Sequence, residues 1–260
     1  MATARSAPPL AAFVLHSYDW SESSLIVELF TRSQGRVVVV AKGAKRPTSN
    51  FRPLLLPFHP LSVWLSRTAA TDEQGEIKSL RAAEWAGGVP LPAQTLMSGF
   101  YLNELLLKGL ARQDPHPALF DAYAETLAVL ASAKACPGVS AAELEAVALR
   151  AFELVLLREL GCLPELDAVT ATAEPLAHER LYTLQPETGL VADAGGLPGA
   201  VWSGLSAAIR QGGLGALRLA CAGEAARLRA PLRHLVHYHL GTAQLRTRRV
   251  GLQLQRLTAV

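Results

Sequence analysis

The sequence predicts an α+β protein. A small five-stranded barrel is expected over residues 1–85, then an all-helical domain over residues 86–260 with a loop-rich excursion at about 162–200. Three observations predict it. β-Branched runs of strand length crowd the first 85 residues. After Gly87-Gly88 and the prolines at 90 and 92, the apolar spacing switches to that of helices. Half of the 260 residues are hydrophobic, which suffices for a well-buried core.

Leu25 to Phe30 and Arg36 to Ala41 are the clearest strands, with Ser33-Gln34-Gly35 between them as a tight hairpin turn. Pro60 to Ser66 and Ile77 to Trp85 are two more, connected by the loop Thr71-Asp72-Glu73-Gln74-Gly75. Five short strands in about 85 residues, four of them delimited here, suggest a closed barrel. The OB-fold is the commonest five-stranded barrel that binds oligonucleotides, and an SH3-like barrel fits the periodicity almost as well.

Ala93 to Ala111 is apolar at helical spacing, with Leu96, Phe100, Leu105 and Leu107 as expected core positions. Asp114-Pro115-His116-Pro117 ends it and opens a second helix through Leu119, Tyr123, Leu127 and Leu130. A third starts at the capping box Ser140-Ala141-Ala142-Glu143 and stops at Gly161, with Pro164 beyond. Prolines at 164, 175, 186 and 198 and the pair Gly195-Gly196 mark the excursion. Helices resume near 199–211 and at Pro231–Leu240, which Gly241 ends.

No apolar run reaches the roughly 18–20 residues of a membrane helix, and Leu10 to Leu15 is too short for a signal-peptide core. Cys136, Cys162 and Cys221 are far apart, odd in number and without CxxC spacing, as suits a reducing compartment. A cytoplasmic location is expected. The net charge of +3 hides a division. Residues 1–67 carry eight Lys/Arg against three Asp/Glu, residues 86–224 carry eight against fifteen, and residues 225–260 carry seven arginines and no acid. A basic head and tail around an acidic middle point to phosphate or acidic-peptide partners.

The sharpest local feature is Ala41-Lys42-Gly43-Ala44-Lys45-Arg46-Pro47, with Arg32, Arg36 and Arg52 near it in sequence. Lys and Arg neutralise phosphates and release their counterions, which supplies most sequence-independent affinity for nucleic acid. Phe51, Phe58 and Trp64 are available as stacking platforms, although core positions suit them better. His234, His237 and His239 raise a metal site, but only His234 and His237 share a helix face by spacing and no nearby Cys or carboxylate cluster adds ligands. There is no GxSxG, HExxH or Walker loop, and Gly195-Gly196-Leu197-Pro198-Gly199 lacks the GxGxxG spacing. A non-enzymatic nucleic-acid-binding protein is expected.

Taken in order, Tyr18-Asp19-Trp20-Ser21-Glu22-Ser23-Ser24, Gly35-Arg36, Ala41 to Pro47, Leu54-Leu55-Leu56-Pro57-Phe58, Tyr101-Leu102-Asn103-Glu104-Leu105, Asp114 to Phe120, Phe152-Glu153 and Tyr238-His239-Leu240-Gly241 span nearly the whole chain. Together they resemble the bacterial DNA repair proteins of the RecO family. The resemblance implies an OB-fold on a helical domain without enzymatic activity, located in the cytoplasm at the nucleoid. It implies binding to single- and double-stranded DNA and annealing of complementary strands. It implies action with RecR, and in some settings RecF, in loading RecA onto DNA coated by single-strand-binding protein, whose acidic C-terminal tail the family also binds. By position, DNA contact carries over to Arg36, Lys42, Lys45 and Arg46. Arg150, Arg158 and Arg233 are candidates for the acidic tail on chemistry alone.

Many relatives carry a four-cysteine zinc module after the Leu-Gly-x-x-Pro element. Here the corresponding stretch offers Cys162, then Val169 and Thr172 where a CxxC would fall, so a zinc-free member without cofactor is expected. The competing function is a protein-interaction scaffold with a small barrel and an incidental basic tail.

Overall fold

The computed structural model describes residues 8–69, 77–132, 139–241, 245–247, 249–250 and 253. The Thr71–Gly75 loop, Cys136 and most of the stretch beyond Gly241 lie outside the described residues. There are two compact units, Met1–Ala93 with Leu102–Ala124, and Gln94–Tyr101 with Glu125–Val260.

The first unit holds β1 (Leu10–Asp19), β2 (Leu25–Thr31), β3 (Gly35–Ala41), β4 (Pro60–Ala69) and β5 (Ile77–Trp85). They close into a barrel in the order β1-β2-β3-β5-β4, an OB-fold, with β3 and β5 parallel at Val38–Val40 against Ile77–Ser79. The β2–β3 hairpin turns where expected: the Thr31 hydroxyl donates to the Gly35 carbonyl at 2.9 Å and accepts from Gln34 N–H. Gly35 has a φ of +65°, and a Cβ there would lie 1.9 Å from the Asp114 carbonyl oxygen, so no other residue fits.

Both faces of β2 and β3 are buried, which is why they read as almost continuous apolar runs. Val27, Leu29, Val37, Val39 and Ala41 point into the barrel with Ala12, Val14, Leu61 and Val63. The alternate residues Phe30, Val38 and Val40 are buried too, and Phe13 and Phe30 pack on the rings of Phe120 and Tyr123. Each such phenylalanine contributes about 1.5–3 kcal/mol. In β1 the register slips between Val14 and His16, leaving Leu15 out of the ladder with β2. The Asn103 side-chain amide donates to the Leu15 carbonyl at 2.9 Å, and Tyr123 Oη donates to Asn103 Oδ1 at 2.5 Å.

The helices are α1 (Leu96–Gly109), α2 (Pro117–Ser132), α3 (Ala141–Glu159), α4 (Gly199–Gln211), α5 (Leu214–Cys221) and α6 (Ala225–His239). Ser140 caps α3 by accepting from the Glu143 N–H at 3.1 Å. At its other end Gly161 N–H donates to the Arg158 carbonyl and Cys162 N–H to the Leu157 carbonyl, a Schellman closure around Gly161 at φ +66°. Within the second unit α3 packs against α5 and α6, burying Ala151, Phe152, Leu154 and Val155 with Leu217, Leu228, Leu232 and Leu235.

Four sequence expectations change. The helical domain is not purely helical: part of the excursion forms a sheet of β6 (Leu181–Gln185), β7 (Gly189–Ala192) and β8 (Leu197–Pro198) in the order β7-β6-β8. The buried Trp202 indole donates to the Tyr182 carbonyl at 3.0 Å and ties the sheet to α4. The last long helix starts at Ala225, not Pro231, because the apolar stripe of Ala225, Leu228, Leu232 and Leu235 outweighs one missing N–H. Phe100 is 41% exposed, and the core positions of α1 are Leu102, Leu105 and Leu106. His234 and His237 line different grooves despite their spacing.

Candidate nucleic-acid interface

The Ala41–Arg46 segment leaves β3 with Ala44 tucked into the barrel core, 1% exposed. That anchor turns the charged neighbours outward. Arg46 N–H donates to the Gly43 carbonyl at 3.1 Å, and the Arg46 side chain folds over Gly43. The next turn, where Leu54 and Leu55 N–H donate to the Phe51 carbonyl, buries Phe51 and Leu54 against the core and exposes Arg52. Lys42, Arg46 and Arg52 are exposed and make no ion pair among the described residues.

Lys45 plays another part. Its N–H donates to the Ser23 carbonyl at 2.9 Å, its ammonium donates to the Ser21 carbonyl at 3.1 Å, and the ammonium sits 3.2 Å from Asp19. It clamps the β1–β2 tip to the loop after β3. Arg32 and Arg36 are also engaged. Arg32 forms two 2.9 Å hydrogen bonds with Asp121. Arg36 lies 3.6 Å from the buried Glu28, which Arg112 approaches at the same distance. Arg36 is the second residue of β3 and Lys42 follows its end, so the two are about 20 Å apart at roughly 3.3 Å per residue. Of the six cations expected at the DNA, Lys42, Lys45 and Arg46 follow one end of β3, Arg32 and Arg36 lie at the other, and Arg52 stands on the turn at Phe51–Leu55.

Aromatic residues accompany the first group, though not those read from the sequence. Phe58 is buried, Phe51 packs on the core and Trp64 is half-buried. Tyr18 and Trp20, at the end of β1, are instead 47% and 55% exposed. The signal for them lay in the Tyr18–Ser24 stretch itself, an aromatic pair among polar residues that no apolar periodicity explains.

In the second unit, a groove of about 430 Å³ is lined by Met97, Ala146, Leu149 and Leu245 and by Arg150, Arg229 and Arg233, with Glu145 as the one acid among the described residues. Arg150 is 6% exposed and pairs with the fully buried Glu153, which accepts from Tyr101 Oη at 2.6 Å. Burial pushes the Glu153 carboxyl up, and Arg150 pulls it part of the way back. Arg150 and Arg233 thus meet in one groove. Arg158 does not join them; it donates to the Ile209 carbonyl at 3.3 Å and pairs with Glu159.

The 162–200 stretch lacks the cysteine set of a zinc module. Cys162 is its only sulfur, and Val169 and Thr172 close a tight turn through the Thr172 and Ala173 N–H groups on the Val169 carbonyl. No cluster of three His, Cys, Asp or Glu side chains occurs among the described residues. Among them also, no helix is long and apolar enough to cross a membrane.

The family model described as recombination protein O N terminal matches residues 10–88, and that described as recombination protein O C terminal matches residues 93–249. The DNA repair protein RecO of Verminephrobacter eiseniae is 51% identical over 263 residues, covering 99% of this chain and all of that protein. The DNA repair protein RecO of Variovorax paradoxus is 50% identical over 266 residues with the same coverage. That of Delftia acidovorans is 49% identical over 265 residues, again across 99% of this chain and all of that protein. With an OB barrel at its head, helices behind it and this likeness from end to end, the chain belongs to the RecO family of DNA repair and recombination proteins.

Proposed function

We propose that the protein is a non-enzymatic recombination mediator. It binds single- and double-stranded DNA, anneals complementary strands and, with RecR and in some settings RecF, helps load RecA onto DNA coated by single-strand-binding protein. The observation that carries the reading is the loop after β3, where Lys42, Arg46 and Arg52 stand exposed without carboxylate partners among the described residues. Such cations neutralise phosphates whatever the sequence of the bases.

The arginine groove of the second unit supports the acidic-tail contact. Three guanidinium groups beside an apolar floor suit a short acidic peptide that ends in apolar residues. Arg233 is the tail residue in this reading, beside Arg150, whose guanidinium is already paired with Glu153, and Arg158 is left out. No step requires a metal, and we propose a zinc-free member whose 162–200 stretch is held by Leu184, Leu190, Leu197 and Trp202 in its place.

Strand annealing tests both contacts. Strands coated with single-strand-binding protein are expected to anneal faster when that protein keeps its tail. Arg233→Glu should abolish the difference and spare annealing of bare strands. Equal rates with and without the tail would overturn the peptide contact. Reversing Lys42 and Arg46 to Glu should abolish DNA binding by the folded protein; unchanged binding would favour a scaffold for proteins.

A further inference from the structure

Trp20 is a large apolar ring left 55% exposed, on a tip built to hold it still. Trp20 and Ser21 N–H groups both donate to the Ser24 carbonyl, at 3.2 and 3.4 Å, and Ser24 N–H donates back to Ser21 Oγ. Lys45 then fixes both neighbours of Trp20, Asp19 through the ion pair and Ser21 through its carbonyl. Tryptophan is highly buried on average, and here a hydrogen-bonded tip displays it with the aromatic Tyr18 close in sequence. Tyr18, 47% exposed, stands edge-on to His16 at 4.5 Å beside it.

Register places this tip beside the start of the loop that carries Lys42. Asp19 is opposite Leu25 in β2, and Leu25 is opposite Ala41 in β3, the residue before Lys42. Two strand spacings, about 10 Å, separate Asp19 from Ala41. One nucleotide with an extended Lys or Arg side chain spans that gap.

We infer that Trp20 is a stacking platform for one base of a single strand, with Lys42 and Arg46 on the flanking phosphates and Lys45 as the positioning residue that fixes the platform. The inference rests on the DNA-binding reading of this loop and narrows it. In a duplex both faces of each base are covered by its neighbours, whereas in a single strand a face is open to an indole. The cations serve either form of DNA; the platform serves unpaired DNA. Lys45 acts through geometry, because its ammonium is already spent on Ser21 and Asp19.

The test is binding of the full chain to a labelled oligothymidylate and to a hairpin duplex across a range of salt. Trp20→Ala should weaken the single strand by about fivefold to a hundredfold, leave the duplex within twofold and leave the salt slope unchanged. Trp20→Phe should recover most of the loss. Lys42→Ala with Arg46→Ala should instead weaken both ligands and flatten the slope. Loss of Trp20 without effect on the single strand, or with equal loss on the duplex, overturns the platform, and in the latter case the ring serves the protein or the duplex in another way. If the cation variant is also silent, the DNA-binding reading of the loop fails; if it alone weakens binding, only the platform fails.

Discussion

Arg32 and Asp121 meet through two parallel hydrogen bonds of 2.9 Å, with the guanidinium fork matched to both carboxylate oxygens. The Asp121 carboxyl is held below its ordinary range by this partner. A guanidinium so occupied has little left for phosphate. Arg32→Ala is therefore expected to leave single-strand affinity within twofold and the salt slope unchanged. Lys42→Ala with Arg46→Ala should reduce the slope of log K against log salt by about 1.4. A flatter slope for the Arg32 variant, measured by the same titration, would return Arg32 to the interface.

Asn103 joins the Leu15 carbonyl, freed by the bulge in β1, to the Tyr123 hydroxyl. Asn103→Ala leaves both buried groups without this partner and should cost about 2–3 kcal/mol in urea unfolding. Tyr123→Phe keeps the Asn103–Leu15 bond and should cost about 1 kcal/mol. Equal losses for the two variants would argue against a chain that runs through Asn103.

Glu153 gives a pH dependence with a definite sign. Burial raises its folded pKa above the ordinary 4.5. Between that value and the folded one, the native chain keeps a proton that the unfolded chain has released, so stability falls as pH rises through the window. Asp121 and Asp167, both lowered, act oppositely and only in stronger acid: their stabilisation is lost as pH falls below 3.8. Glu153→Gln should abolish the decline above pH 4.5. At a pH where Glu153 is ionised the substitution should also cost about 3–5 kcal/mol, because Arg150 is then left buried without its counter-charge. Urea midpoints from pH 4 to 8 read both effects.

Two glycines with left-handed backbones should respond differently to alanine. Nothing lies within 4 Å of a Cβ at Gly161, so Gly161→Ala should cost only the conformational term, about 1–2 kcal/mol. At Gly35 the same change drives a methyl into the Asp114 carbonyl and should leave no folded protein. Thermal unfolding of the two variants separates the cases.

The barrel was legible where strands carry consecutive β-branched residues, as in Leu25–Phe30 and Arg36–Ala41. β1 was less so: four buried residues, Ala12 to Leu15, are followed by an exposed half that shows no alternation to find. β6 to β8 were hidden by their length, two to five residues among glycines and prolines. α5, eight residues between Gly213 and Gly223, was missed for a similar reason. At the candidate interface, residue type and spacing located the loop but not its partners. Asp121 is 89 residues from Arg32, and that pairing exists only once the chain has folded.

The pairing of Arg36 with Glu28, at the far end of β3 from Lys42, gives the barrel a direction. Counted along the chain, its cations suggest a uniform positive coat. In space, Arg32 and Arg36 sit in ion pairs with Asp121 and Glu28, whereas Lys42, Arg46 and Arg52 make none among the described residues. On the proposed DNA-binding reading, a polyanion drawn in from solution would feel a torque as well as a pull. It would arrive at the Lys42 end already oriented, which would shorten the search for a productive encounter more than the modest net charge suggests.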